Sequence, residues 1–315
     1  MSVTGVLPEV NKLQESVESL TPFIGKTPLI PIRDLVTNPA VSIYAKMEWQ
    51  QFGGSVKARP AFQIIKDAIE DGRLTKDKTL IDASSGNTAI AYAYIASRMG
   101  IDVLLCMPEN ASESRKRILR ALGAQIELTP ATGSTDEAQE RAAEIARQHP
   151  DTYFYADQYN NHSNWKAHYV STAPEIIDET GPVLTHFITG LGTTGTFTGT
   201  ARGLKEYNNQ VRTIAIQPNT PMHGLEGWKH METAKIPGIY DQYLPDEHRT
   251  VSTEDAYAML KRAASKEGLL LSPSAAANLH AAVELSNELS EGTIVTIFPD
   301  DASKYSEVID DIFDS

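Results

Sequence analysis

The sequence has a single cysteine, Cys106. That excludes an internal disulfide framework and any metal site built from several thiolates. Basic residues are also few: 28 Lys and Arg stand against 41 Asp and Glu, a formal net charge of -13. With no run of Lys or Arg, this argues against nucleic acid or an anionic membrane as a partner. No apolar run approaches the ~18 residues needed to cross a bilayer. The first twenty residues lack a basic region followed by an apolar stretch, so no secretory leader is expected. The eight histidines form no i, i+4 pair and no His-Glu-x-x-His, which removes the usual catalytic metal signatures. A Gly-x-Ser-x-Gly hydrolase elbow is missing as well. The expectation is a soluble cytoplasmic globular protein without a metal.

What is present is a regular alternation. Strand-like runs at 41–47, 79–83, 103–107 and 125–128 each precede a helical pattern, at 55–70, 87–98, 112–122 and 135–148. A second series has strands at 185–189, 211–217 and 293–298, with helices at 195–206, 253–267, 275–289 and after Ser303. Short connections between unlike elements predict an α/β fold of parallel sheets covered by helices. At 315 residues the chain has room for about two domains. Cys106 lies in an apolar strand and reads as a small buried hydrophobe. The stretch 219–246 is long, rich in Gly, Pro, His and charge, and reads as a functional or disordered loop.

Three segments carry chemistry. In Phe52-Gly53-Gly54-Ser55-Val56-Lys57-Ala58-Arg59-Pro60, Lys57 follows a small-residue turn and opens a helix. Packing around its stem and a positive helix end would lower its pKa, and a neutral amine forms Schiff bases; a surface lysine on a first turn is the plainer alternative. His186-Phe187-Ile188-Thr189-Gly190-Leu191-Gly192-Thr193-Thr194-Gly195-Thr196 runs strand, loop, helix, and its amides and hydroxyls make a phosphate cup. It also fits G-x-G-x-x-G, but the next strand ends at the neutral Gln217 where a dinucleotide site needs an acid, and no Gly-Lys-Ser/Thr follows for ATP. A loop that merely packs tightly is the remaining alternative. Asp82-Ala83-Ser84-Ser85-Gly86-Asn87-Thr88-Ala89 is either a helix cap or a carboxylate receptor. His162 and His168, near Gln158, read mainly as surface or hydrogen-bonded residues.

Together these segments resemble the cysteine synthase family of pyridoxal-phosphate enzymes, the tryptophan-synthase-β fold type. The lysine loop around Lys57, the substrate loop Ser84-Ser85-Gly86-Asn87-Thr88, the cup Gly192-Thr193-Thr194-Gly195-Thr196 and the opening Gly25-Lys26-Thr27-Pro28-Leu29 occur in the family's order over nearly the whole chain. The resemblance implies that pyridoxal 5'-phosphate binds between two domains: a larger cofactor-phosphate domain of 1–45 and 158–315, and a smaller mobile substrate domain of 46–157. It implies Lys57 as Schiff-base lysine and general base, the cup on the cofactor phosphate, Asn87 at a ring oxygen and Ser274 beside the pyridine nitrogen. Ser84, Ser85, Gly86, Asn87, Thr88 and Gln158 would hold the substrate carboxylate. A neutral Ser274 makes a weaker electron sink than an aspartate and suits β-elimination followed by attack of sulfide; Ser274 also reads as a helix cap before Ala275. Gly224-Leu225-Glu226-Gly227-Trp228-Lys229-His230-Met231 resembles the branch that uses O-phosphoserine, with Lys229 as phosphate reader. The implied activity is cysteine synthesis from O-phosphoserine or O-acetylserine by a homodimer. Another nucleophile, as in cystathionine β-synthase, and a regulatory family member with little turnover are the alternatives. The chain departs from the family at Gln51-Phe52, Ala58, Pro273 and Ala276.

Overall fold

The computed structural model describes residues 8–314. Its elements are α1 (Pro8–Leu20), β1 (Leu29–Ile32), β2 (Val41–Met47), α2 (Ala58–Glu70), β3 (Thr79–Ala83), α3 (Asn87–Met99), β4 (Val103–Pro108), α4 (Glu113–Ala121), β5 (Gln125–Thr129), α5 (Ser134–Gln148), β6 (Tyr153–Tyr155), α6 (His162–Ala167), α7 (Ala173–Thr180), β7 (His186–Gly190), α8 (Gly195–Tyr207), β8 (Arg212–Pro218), β9 (Glu247–Val251), α9 (Thr253–Glu267), α10 (Pro273–Glu288), β10 (Gly292–Phe298) and α11 (Ser306–Asp314). Among the described residues no helix is long and apolar enough to cross a membrane.

The chain divides into two compact units. One joins the N-terminal segment ending at Ile24 to Lys57–Ser163; the other joins Gly25–Val56 to the chain from Asn164 onward. The expected boundaries, 45/46 and 157/158, therefore shift. Residues 8–24 go with the smaller unit because Leu13, Val17 and Leu20 make a buried stripe on α1, which packs on α2 and α3. Residues 46–56 stay with the larger unit: β2 runs on to Met47 in its sheet, and the Val56 amide donates to the Pro299 carbonyl at 2.8 Å.

The smaller unit holds a four-stranded parallel sheet in the order β5-β4-β3-β6. β4 is buried at every position, as a strand covered on both faces must be. Ile81, Ala83, Leu104 and Cys106 pack against Ala138, Ala142 and Ile145 of α5. Cys106 is free and fully buried, as its apolar setting predicts, and burial pushes its thiol up to about 12.

The larger unit holds six strands in the order β1-β2-β10-β7-β8-β9. All pairings are parallel except β1 on β2. Successive residues of β10 face opposite layers. Ile294 joins Ile188, Ile214, Met259 and Leu279 under α9 and α10, while Val295 and Ile297 join Phe187, Phe197 and Leu204 under α7 and α8. Ser252 caps α9 by accepting from the Asp255 amide at 3.0 Å, and Gly268 closes it at φ 67.

Candidate functional site

In the smaller unit, Lys57 is half-buried and occupies the residue before α2; its carbonyl accepts from the Ala61 amide at 3.0 Å and starts the helix. The expected helix begin at residue 55 moves to Ala58, because Ser55 and Val56 finish the glycine turn. That turn needs left-handed backbone at Gly53 (φ 87) and Gly54 (φ 65). The Lys304 ammonium donates to the Gly54 carbonyl and holds the turn from the other side. Gln51 takes the place of the expected Asn-Pro: its amide donates to Glu48 Oε2 at 2.7 Å and its oxygen accepts from the Gly25 amide at 3.1 Å. Ala58 is fully buried, so the family's aspartate there would be a buried charge.

The loop after β3 brings together the residues expected to receive a carboxylate. Ser84 Oγ accepts from the Gly86 and Ala89 amides, both at 3.3 Å, and so caps α3. Ser85, Gly86 and Asn87 are half-buried, and a Cβ built on Gly86 would meet nothing within 4 Å. Thr88 donates to Gln158 Oε1 at 2.7 Å, and Gln158 Nε2 donates to the Ala83 carbonyl at 2.9 Å. Gln158 follows Asp157, whose φ of 47 turns the chain back toward the loop. Beneath lies Asp82, fully buried, accepting from the Ala83 amide at 2.8 Å and the Gln158 amide at 3.2 Å. Burial pushes its carboxyl up to about 7, against the opposing pull of the Ala83 amide.

In the larger unit, Gly190 to Thr196 run from β7 into α8. Thr194 is the residue before that helix. Its φ is 72, a left-handed conformation costly for a β-branched residue, and its hydroxyl is buried with no hydrogen-bond partner. The hydroxyls of Thr198 and Thr200 share the lack of a partner, but they lie inside α8. Among the described residues only Thr194 combines it with left-handed backbone at the positive end of a helix. An orphan donor there fits an anionic group such as the phosphate of a cofactor. Thr193 Oγ1 accepts from Asn164 Nδ2 at 3.1 Å, and Thr196 Oγ1 lies 3.2 Å from His168 Nε2, whose Nδ1 lies 2.9 Å from Thr172 Oγ1. His168 opens a five-residue π-helical segment, His168–Thr172, which buries it completely. Asn164 and this placement of His168 escape sequence reading, since α6 and α7 are short and joined by a π-helical segment.

The glycines of the cup have a packing reason. A Cβ on Gly192 would lie 2.0 Å from the Gly227 carbonyl, one on Gly195 1.9 Å from Asn164 Oδ1, and one on Gly190 2.0 Å from the Trp228 ring. The long loop thus sits on the cup, and the Lys229 amide donates to the Leu191 carbonyl at 2.8 Å. Ser274 is the second residue of α10 and buried. The capping expected of it falls to Ser272, which accepts from the Ala275 amide at 3.2 Å; Pro273 takes the first helical position, where its missing N–H costs nothing. Ser274 Oγ lies 3.2 Å from Ser272 Oγ. Ala276 is fully buried inside the helix, with ordinary helical bonding where the family has glycine.

The profile of the pyridoxal-phosphate-dependent enzymes matches residues 20–300. A cysteine synthase of Aquifex aeolicus is 42% identical over 295 residues, covering 91% of this chain and 90% of its own. The chain belongs to the cysteine synthase family of pyridoxal-phosphate-dependent enzymes. An O-acetylserine dependent cystathionine beta-synthase of Bacillus subtilis is 34% identical over 299 residues, covering 92% and 96% of the two chains. The crystal structure of an O-acetylserine dependent cystathionine beta-synthase from Helicobacter pylori superimposes with a TM-score of 0.85 at 33% identity, over 91% of this chain and 96% of that one. This family member is accordingly an enzyme of tryptophan-synthase-β-like fold that uses pyridoxal phosphate for β-replacement.

Proposed function

We propose that this enzyme makes L-cysteine, taking an O-activated L-serine as donor and sulfide as nucleophile, and that it works as a homodimer. The observation that carries the reading is Thr194, an unpartnered buried hydroxyl on left-handed backbone at the start of α8. Pyridoxal phosphate, when bound, supplies an aldehyde carbon for the amino group and an electron-withdrawing ring. In this reading Gly192, Thr193, Thr194, Gly195 and Thr196 hold its phosphate through amides, hydroxyls and the helix end. Asn164 and His168 orient the two flanking threonines. Ser274 would stand beside the ring nitrogen with a neutral hydroxyl, a partner that would suit loss of a β-leaving group. Asn87 reaches the ring oxygen. Ser84, Ser85, Gly86, Asn87, Thr88 and Gln158 receive the substrate carboxylate, and the Lys57 amine removes the α-proton as general base. Borohydride treatment of the loaded protein followed by peptide mapping should put the label on Lys57 and none in Lys57→Ala. A label on another lysine overturns the assignment.

We read the donor as O-phospho-L-serine. The support is the Lys229 backbone, tied by its amide to the glycine loop, which keeps a lysine next to the cup. A protein of charge -13 repels a phosphorylated amino acid at long range, so a local cation is needed to hold it. Lys229→Ala should lose about 1.5–3 kcal/mol of transition-state binding for O-phosphoserine only, read as kcat/KM for both donors. An equal effect on both, or none, returns O-acetylserine, the donor in the name of the Bacillus subtilis relative. That same name favours homocysteine as a second nucleophile. Product analysis with sulfide and homocysteine in competition separates the two.

A further inference from the structure

β7 and β10 pair through Ile294↔His186, Val295↔Phe187 and Thr296↔Ile188, and their register ends there. Beyond it Gly190 still pairs with Ile216 of β8, and Ile297 with Lys46 of β2. The sheet therefore splits between β7 and β10 at the carboxyl ends of its strands, the place where open α/β sheets bind ligands. A split leaves a backbone N–H and a carbonyl to be satisfied. One side chain does both: Asn278 Oδ1 accepts from the Gly190 amide at 2.8 Å, and Asn278 Nδ2 donates to the Ile297 carbonyl at 2.7 Å, with Thr189 Oγ1 at 3.5 Å. Asn278 is 1% exposed, so bulk solvent does not reach these groups. It stands four residues after Ser274 on α10, on the same helix face one turn on.

We propose that Asn278 is a positioning residue: it anchors Gly190, the last residue of β7 and two positions before the cup, to the helix that carries Ser274, and so sets the spacing between phosphate cup and ring contact. The proposal rests on the reading that Gly192 to Thr196 hold the phosphate and Ser274 meets the ring. A single carboxamide suits the role, because it offers an acceptor and a donor on one rigid plane. Aspartate keeps the acceptor for Gly190 but turns an oxygen on the Ile297 carbonyl. Serine keeps one hydroxyl on a shorter stem.

The test uses the cofactor-free full chain as wild type, Asn278→Asp and Asn278→Ser. Each is titrated with pyridoxal phosphate by tryptophan fluorescence, the bound phosphate is observed by phosphorus NMR, and thermal unfolding is recorded without cofactor. Asn278→Asp should bind the cofactor roughly ten- to a hundredfold more weakly, with a shifted or broadened phosphorus line; Asn278→Ser should fall between. Unchanged affinity and an unchanged line, with only the melting temperature lowered, reduce Asn278 to core packing and overturn the proposal. Should Asn278→Asp not fold, Asn278→Ser and hydrogen exchange in the wild type decide. The Gly190 amide should gain protection when the cofactor is added, and no gain overturns the proposal. A wild type that takes up no cofactor removes the cup reading itself, and the proposal with it.

Discussion

On the proposed reading, Thr194 trades stability for binding. Its hydroxyl is buried and unpartnered, and an unsatisfied buried polar group costs roughly 1–3 kcal/mol. Valine has the same shape and no hydroxyl. Thr194→Val should therefore leave the cofactor-free protein as stable or about 1 kcal/mol more stable, while cofactor affinity falls by about one to two decades. Urea unfolding and fluorescence titration read the two quantities, and opposite signs are the signature. Loss of stability without loss of affinity would mean that the hydroxyl serves the fold.

At the scale of elements, α10 separates two roles that the sequence leaves merged. Ser272 caps the helix and Ser274 does not. Ser272→Ala should cost about 1 kcal/mol of folding stability, and Ser274→Ala clearly less, by chemical denaturation of the cofactor-free protein. The visible spectrum of the loaded protein should respond the other way, moving more in Ser274→Ala. Equal destabilisation by both would contradict the division. The elements that escape a sequence reading are the weakly patterned ones. β1 is four residues with Pro31 inside, tolerable on an edge strand, and β9 alternates burial with His248 and Thr250 outward. α6 and α7 are short and joined by π-helical turns, so no 3.6-residue period runs through them.

For the whole molecule, Asp82 predicts a pH dependence. Its carboxyl titrates near 7 when folded, against a model-compound value of 3.8. Between those values the folded chain holds a proton that the unfolded chain has released, so this residue makes stability fall as pH rises through the window. The slope from one such group is at most about 1.4 kcal/mol per pH unit. Asp82→Asn cannot ionise and should show a flatter profile from pH 4 to 7 in urea midpoints; groups common to both proteins cancel in the difference. Parallel profiles would mean that Asp82 stays ionised in the fold, held by the Ala83 and Gln158 amides.

Read alone, the sequence determined the alternation of strand and helix, the parallel sheets, and the motifs around Lys57, Ser84 to Thr88 and Gly192 to Thr196. Those features are local: periodic burial along a strand or helix, and small polar residues at the turns between them, are written in neighbouring positions. Tertiary structure decided what holds the motifs. Leu13, Val17 and Leu20 draw the N-terminal helix to the smaller unit, Asn164 and His168 stand behind the cup's threonines, Trp228 fills the space a Cβ on Gly190 would need, and Asn278 closes a split between two strands. Each of these is a contact between segments far apart in the chain. The hydrogen bond that the Gly190 amide donates to Asn278 spans 88 positions, and nothing in the period or composition around either residue encodes the other; only the packing of α10 across β7 and β10 brings them within 2.8 Å.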